Sequence, residues 1–334
     1  MRADLTTKYL GLTLRNPIAA AAGPLTGDLD SLCRLEEAGI AAAVLPSLFE
    51  EQIDHDQQQI RAVYEFQSYS YAESLSFFPE LKDYNVGPRD YLRLVESAKK
   101  KVSIPIIASL NGSSPGGWVR FAKLMEEAGA DAIELNIYFV PTDPAMTAHD
   151  VESQYADMVA TVRQAVSVPL AVKIGAQFSC LPNFVTRLAE AGADGVVLFN
   201  RYLEPDIDLH SLQVTPQLVL SNRHELRLPM RWIAILRDHV KISLAATSGI
   251  HYAEDIVKLL LVGADVCMLT SALLKHGSDY VAVMLPELQN WLDVNNYDSV
   301  EQLKGSMSYG NSPDSGLWER ANYMKAIVSY TAVH

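Results

Sequence analysis

One short phrase recurs four times and constrains the fold more than any other feature of the chain. Ala38-Gly39-Ile40 precedes AAAVLP, Ala128-Gly129-Ala130-Asp131 precedes AIELN, Ala191-Gly192-Ala193-Asp194 precedes GVVLFN, and Gly263-Ala264-Asp265 precedes VCMLT. Each glycine is placed to end a helix in the left-handed conformation, and each apolar run after it reads as a strand covered on both faces. Helix, glycine, buried strand, repeated, is the pattern of parallel βα units. Filling the gaps gives eight strands: Ile18–Ala22, Ala41–Leu45, Ile106–Ser109, Ala132–Leu135, Leu170–Ile174, Val196–Phe199, Ile242–Ala245 and Val266–Leu269. Proline enters three of them, at Pro17, Pro105 and Pro169, where it forfeits no central ladder bond. Helices are expected between the strands, and eight alternations predict an α/β TIM (β/α)8 barrel, ahead of a doubly wound sheet. Residues 1–334 then form one domain.

Two segments are too long for simple connections. Ser47–Arg89 follows the second strand and is rich in aromatic, acidic and glutamine residues. It reads as a lid or partner surface, or as an aromatic mini-core over the barrel. The tail, residues 305–334, carries Tyr309, Trp318, Tyr323 and Tyr330, which favours docking on the body or on a neighbouring subunit of a homo-oligomer such as a dimer.

Composition narrows the partners. A net charge of −13 argues against nucleic acid or an anionic membrane surface, since both need a basic face. No apolar run reaches the roughly 18 residues of a membrane span. Cys33, Cys180 and Cys267 form neither a disulfide framework nor a metal motif, so no metal is expected and a cytoplasmic, reducing setting fits.

In such a barrel the chemistry sits at strand C-termini. Those positions include Ala21-Ala22-Gly23, Ser47, Asn136, Lys173, Asn200, Ser248-Gly249 and Thr270-Ser271. The last two turns have small side chains and precede helices, which suits a phosphate. Lys173, in the apolar phrase PLAVKIG, needs an anionic partner. That partner is a developing anion on a cofactor, a carbonyl substrate forming a Schiff base in a flavin-free lyase, or a carboxylate such as Glu134. Asn136 and Asn200 each offer a donor and an acceptor to a small polar heterocycle.

The phrases Leu10–Pro17, Ala21-Ala22-Gly23, Glu134-Leu135-Asn136, Val172-Lys173-Ile174, Ser248-Gly249-Ile250, Gly263-Ala264 and Thr270–Leu273 resemble the FMN-dependent dihydroorotate dehydrogenases, above all their soluble class 1 branch. The resemblance implies an oxidoreductase of pyrimidine biosynthesis type acting on the CH–CH bond of dihydroorotate or a related compound. It implies that Ala21, Ala22 and Gly23 back the flavin and Lys173 stabilises its reduced anion. Ser248, Gly249, Thr270 and Ser271 would hold the phosphate, Ser47 would join the cofactor set, and Asn136 and Asn200 would face the substrate. The departures are as specific. Phe139 stands where the family has its catalytic cysteine, Pro141 replaces a substrate asparagine, and Pro46-Ser47 replaces a lysine region. Tyr138, one residue earlier, is the alternative acid/base group, although a phenol is a weak base unless something lowers its pKa. Flavin binding is therefore expected to be kept and dihydroorotate chemistry impaired. The alternative is a flavin-binding subunit serving a redox protein partner.

Overall fold

The computed structural model describes residues 2–49, 52, 87–112, 118–201, 204–320 and 322–331. Its centre is a closed barrel of eight parallel strands: β3 (Ile18–Ala20), β4 (Ala42–Phe49), β5 (Ile106–Gly112), β6 (Ala132–Ile137), β7 (Leu170–Ile174), β8 (Gly195–Leu198), β11 (Ser243–Thr247) and β12 (Val266–Leu269). All eight expected strands are present, and helices follow them around the wall. This is the TIM barrel.

The recurring glycines behave as their positions require. Gly39, Gly129, Gly192 and Gly263 have φ of 110°, 95°, 106° and 112°, in the left-handed region that a Cβ disfavours. The aspartate of the phrase has a second task. Asp131 Oδ2 accepts the N–H of Ile106, Asp194 Oδ2 that of Leu170, and Asp265 Oδ2 that of Leu244, each at 2.7–2.8 Å. Lys99, Arg163 and Arg237 pair with the same three carboxylates from neighbouring helices. Each of these three copies thus ends a helix, starts a strand and clasps the entrance of the strand before it, while the first copy, with Ala41 in place of the aspartate, only ends a helix and starts a strand.

Two hairpins lie outside the barrel sheet, and neither is expected from the apolar periodicity. β1 (Thr7–Tyr9) pairs with β2 (Leu12–Leu14) below the barrel. Tyr9, Leu10 and Leu14 join Ala19, Val44, Ile107, Ala132, Ala171, Val197, Ala245 and Val266 in one interior cluster, so the hairpin plugs the barrel floor. β9 (Pro205–Asp208) and β10 (Gln213–Pro216) form the second hairpin beside the mouth. The interior is built largely from alanine and valine because the inward side chains of eight strands meet at a narrow axis. The bulkier residues point outward against the helices.

The long insertion falls mostly on residues outside those described. In the tail, Trp318 packs partly buried on the outer core and the Tyr309 N–H donates to the Ala234 carbonyl. The terminal helix Asn322–Thr331 instead leaves Tyr323, Met324, Ile327 and Val328 exposed.

Gly195 tests the plug. A Cβ there would lie 2.7 Å from Leu10 Cδ2 and 3.1 Å from the Ser243 carbonyl oxygen. Gly195→Ala is expected to destabilise the protein by about 1–3 kcal/mol through overpacking, read as a lower urea midpoint. An unchanged midpoint would show that the hairpin is not seated against β8.

Candidate active site

The pleat of each strand decides which side chains reach the barrel axis. Along β6, Ile133, Leu135 and Ile137 belong to the outer core, whereas Ala132 joins the interior cluster and Asn136 lines the cavity at the mouth. The alternation continues beyond the strand: Tyr138 lines the cavity, and Phe139 packs partly buried against the outer core. Phe139 therefore does not occupy the inward position expected of a residue replacing a catalytic base. The neighbouring tyrosine does. On β4 the register shifts between Val44 and Ser47, around Pro46. This bulge moves the inward parity from Val44 to Ser47 and carries the strand four residues past its expected end at Leu45.

The cavity at the C-terminal end of the barrel has a volume of about 640 Å3. Ala21, Ala22, Gly23, Ser47, Asn136, Tyr138, Lys173, Asn200, Ser248, Gly249, Thr270 and Ser271 all line it, so every proposed site residue is brought to one place. Asn111, Phe199, Arg201 and Ser221 also line the wall, beside apolar residues such as Pro46, Ile250 and Leu274. Asn111 follows from the inward parity of β5, and Arg201 from its place directly after Asn200. Ser221 has no such signal, because it comes from an irregular segment that crosses the mouth. A second recess of about 930 Å3 adjoins the first and shares Phe199, Asn200, Arg201, Thr247 and Ser248 as a common wall.

A chain of side-chain hydrogen bonds crosses the cavity floor. Asn200 Nδ2 donates to Asn136 Oδ1, Asn136 Nδ2 donates to Ser47 Oγ at 3.1 Å, and Ser47 Oγ bonds Ser109 Oγ at 2.8 Å. This fixes both carboxamides. The Oδ1 of Asn200 and one N–H from each amide are left to face a ligand, a mixed donor and acceptor edge. Ser47 thus serves the carboxamides as well as lining the cavity. Arg201 is held by Glu225, with Nε 2.9 Å from Oε2, and by the Val219 carbonyl.

Lys173 stands at the end of β7 with no hydrogen bond or ion pair to a described residue. Glu134, on the next strand and one pleat deeper, is 1% exposed, and its Oε1 has no hydrogen-bond partner. The two do not form a contact ion pair, which removes a simple structural pairing as the account of the lysine. Burial pushes the Glu134 carboxyl above its usual range, and the ammonium of Lys173 opposes that shift only in part.

In the same cavity as Lys173, the two turns expected to take a phosphate meet. Ser248 and Gly249 have φ of 77° and 75°, and a Cβ on Gly249 would fall 2.3 Å from the Leu226 nitrogen. Only glycine fits there. The Gly249 N–H points to Ser221 Oγ at 3.3 Å, and the Ser221 N–H donates to Ser271 Oγ at 3.0 Å. Asp255, buried beneath, accepts from the His251 and Tyr252 N–H groups and pairs with Arg223 at 2.7 Å, which braces the segment carrying Leu226.

Comparison with known proteins decides the family. The dihydroorotate dehydrogenase family matches residues 84–292, more than half of the chain. The chain belongs to that family. Relatives include a putative dihydroorotate dehydrogenase A (fumarate) from Aeropyrum pernix, 25% identical over 310 residues, covering 90% of this chain and 97% of the relative. The catalytic subunit of dihydroorotate dehydrogenase B (NAD(+)) from Endomicrobium trichonymphae is 23% identical over 311 residues, covering 91% and 97%. The NAD-dependent dihydropyrimidine dehydrogenase subunit PreA from Escherichia coli K12 is 23% identical over 329 residues, covering 90% and 76%. The protein is accordingly an oxidoreductase of the dihydroorotate dehydrogenase type. Among the described residues of this dehydrogenase-family chain, no helix is long and apolar enough to cross a membrane.

The buried carboxyl gives a pH test. An acid whose folded pKa lies above its unfolded value stabilises fully below the unfolded pKa, and that contribution is lost as pH rises through the folded pKa. The Tm of Glu134→Gln is therefore expected to gain on the wild type as pH climbs above the ordinary value of 4.5, then to level off. A difference that stays constant with pH would place the Glu134 titration near its ordinary range.

Proposed function

We propose that the cavity binds FMN and passes a hydride to it from a CH–CH bond of a cyclic dihydropyrimidine, dihydroorotate or a close relative. The observation that carries this proposal is the convergence of Lys173, Asn136, Asn200 and Tyr138 on one cavity with the Ser248–Gly249 turn. The residues fit the cofactor. Ala21, Ala22 and Gly23 leave a wall without bulk, and at Gly23 a Cβ would come 3.0 Å from Thr270 Cγ2. Lys173 supplies an unpaired cation, and at Gly249 the Leu226 backbone packs where a Cβ would stand, which holds the turn in place beside the cavity.

When bound, FMN supplies the two-electron acceptor. Lys173 provides a fixed positive charge where negative charge develops, and a low dielectric strengthens its effect. Asn136 and Asn200, locked by Ser47, orient a ring that carries both amide N–H and carbonyl groups. Tyr138 is the side chain placed to take the proton that leaves the neighbouring carbon. Ser248, Gly249, Thr270 and Ser271 hold the phosphate, with Ser221 tying the two turns together. A small molecule is the reductant. The onward acceptor is a second substrate or a redox protein, as the subunit names of two relatives suggest for those proteins. A homodimer in the cytoplasm is compatible with this assignment.

The purified protein is expected to be yellow, to contain FMN, and to bleach when a dihydropyrimidine is added without air. Lys173→Met is expected to keep the flavin but lower its midpoint potential by the equivalent of about 1–3 kcal/mol in reduction free energy. A colourless protein that takes up no FMN on titration would overturn the assignment. An unchanged potential in the loaded variant would remove Lys173 from the flavin.

A further inference from the structure

Glu134 is not used by the chemistry above, yet it occupies a costly position in the barrel. A carboxyl on an inward face, 1% exposed, with one oxygen lacking a hydrogen bond, normally loses to an apolar residue of similar size. The ionisable groups around it come from three other elements. Tyr9 rises from the floor hairpin, and its hydroxyl is likewise buried without a hydrogen-bond partner. Tyr91 comes from the helix Pro88–Lys101 and bonds the backbone of Ser109. Lys173 stands above on β7. Burial raises both phenols, so neither carries charge near neutral pH. Asp265 acts on Tyr9 from the barrel floor but is itself paired with Lys304 at 2.9 Å. Among the described residues, Lys173 is thus the one charge near Glu134 that also faces the cavity.

We propose that Glu134 is a positioning residue that acts through Lys173 as a proton-linked charge buffer beneath the flavin site. With an uncharged ligand at Lys173, a carboxylate at Glu134 balances the ammonium across one pleat. Once negative charge is placed on the cavity side of Lys173, two anions would share one cation in a low-dielectric interior, which is unfavourable. Glu134 then takes up one proton from solvent, carboxylate becoming carboxylic acid with no electron gained or lost. The two electrons come from the reductant and stay on the flavin. Net charge on the floor is thereby the same before and after reduction.

This rests on the FMN assignment, and the experiment separates the two. The flavin midpoint potential of the FMN-loaded wild type and of Glu134→Gln would be measured by dye-coupled redox titration between about pH 5 and 9. The wild type is expected to follow a slope of two protons per two electrons over the range where Glu134 titrates. Glu134→Gln is expected to follow one proton per two electrons there, with a more positive potential on the alkaline side because a negative charge has been removed. Equal potentials and slopes in the two proteins would overturn the role of Glu134. So would a one-proton slope throughout in the wild type, a measurement that does not depend on the variant folding. A protein that takes up no FMN fails earlier and overturns the cofactor assignment itself.

Discussion

The two-residue alternation of the barrel strands is the constraint on which the site depends. Because successive side chains leave β6 on opposite faces, Glu134 and Asn136 climb from the interior to the mouth, and Tyr138 lines the cavity just past the strand. The same rule brings Lys173 up β7 beside them and sends Ile137 and Phe139 outward to the helices. A slip of one residue would invert the whole set, and the outer core forbids it because Ile133, Leu135 and Ile137 would lose their apolar surroundings. Packing outside the barrel thereby fixes chemistry inside it.

The barrel must also hold its charges in place. At the strand entrances this is done by contact: Asp131, Asp194 and Asp265 each accept a backbone N–H and meet a basic side chain. Around Ser248–Gly249 it is done by Asp255 and Arg223, which hold a strained turn against Leu226. Within the barrel it is not done by contact. Lys173 and Glu134 stay apart, and the ammonium is left available to the cavity. A half-buried cation without a contact partner is costly in a folded protein, and the proposed ligand would complete it.

Much of this was legible in the sequence. The Gly39, Gly129, Gly192 and Gly263 phrases predict the helix ends and strand starts, because a left-handed glycine and a doubly covered strand leave local signatures. The inward side chains at strand ends followed from the same pattern, so the lining residues could be named without coordinates. What escaped was non-local or parity-dependent. The floor hairpin of Thr7–Leu14 has too few residues for periodicity to register, and Ser221 reaches the site from an irregular crossing segment. Motif position alone puts Phe139 at the base position, whereas the pleat puts Tyr138 in the cavity. The bulge at Pro46 that turns Ser47 inward is set by pairing with β5 and leaves only a proline as its trace.

The proposed role of Tyr138 in handling the proton rests on its place in the cavity, with Phe139 packed against the outer core. It is tested most directly by the rate of anaerobic flavin bleaching in two FMN-loaded variants, Tyr138→Phe and Phe139→Leu. Tyr138→Phe is predicted to slow bleaching by about 10²–10⁴-fold, the usual cost of losing a general base, while Phe139→Leu stays close to wild type. The opposite order, or a Tyr138→Phe protein that bleaches at the wild-type rate, would contradict the account.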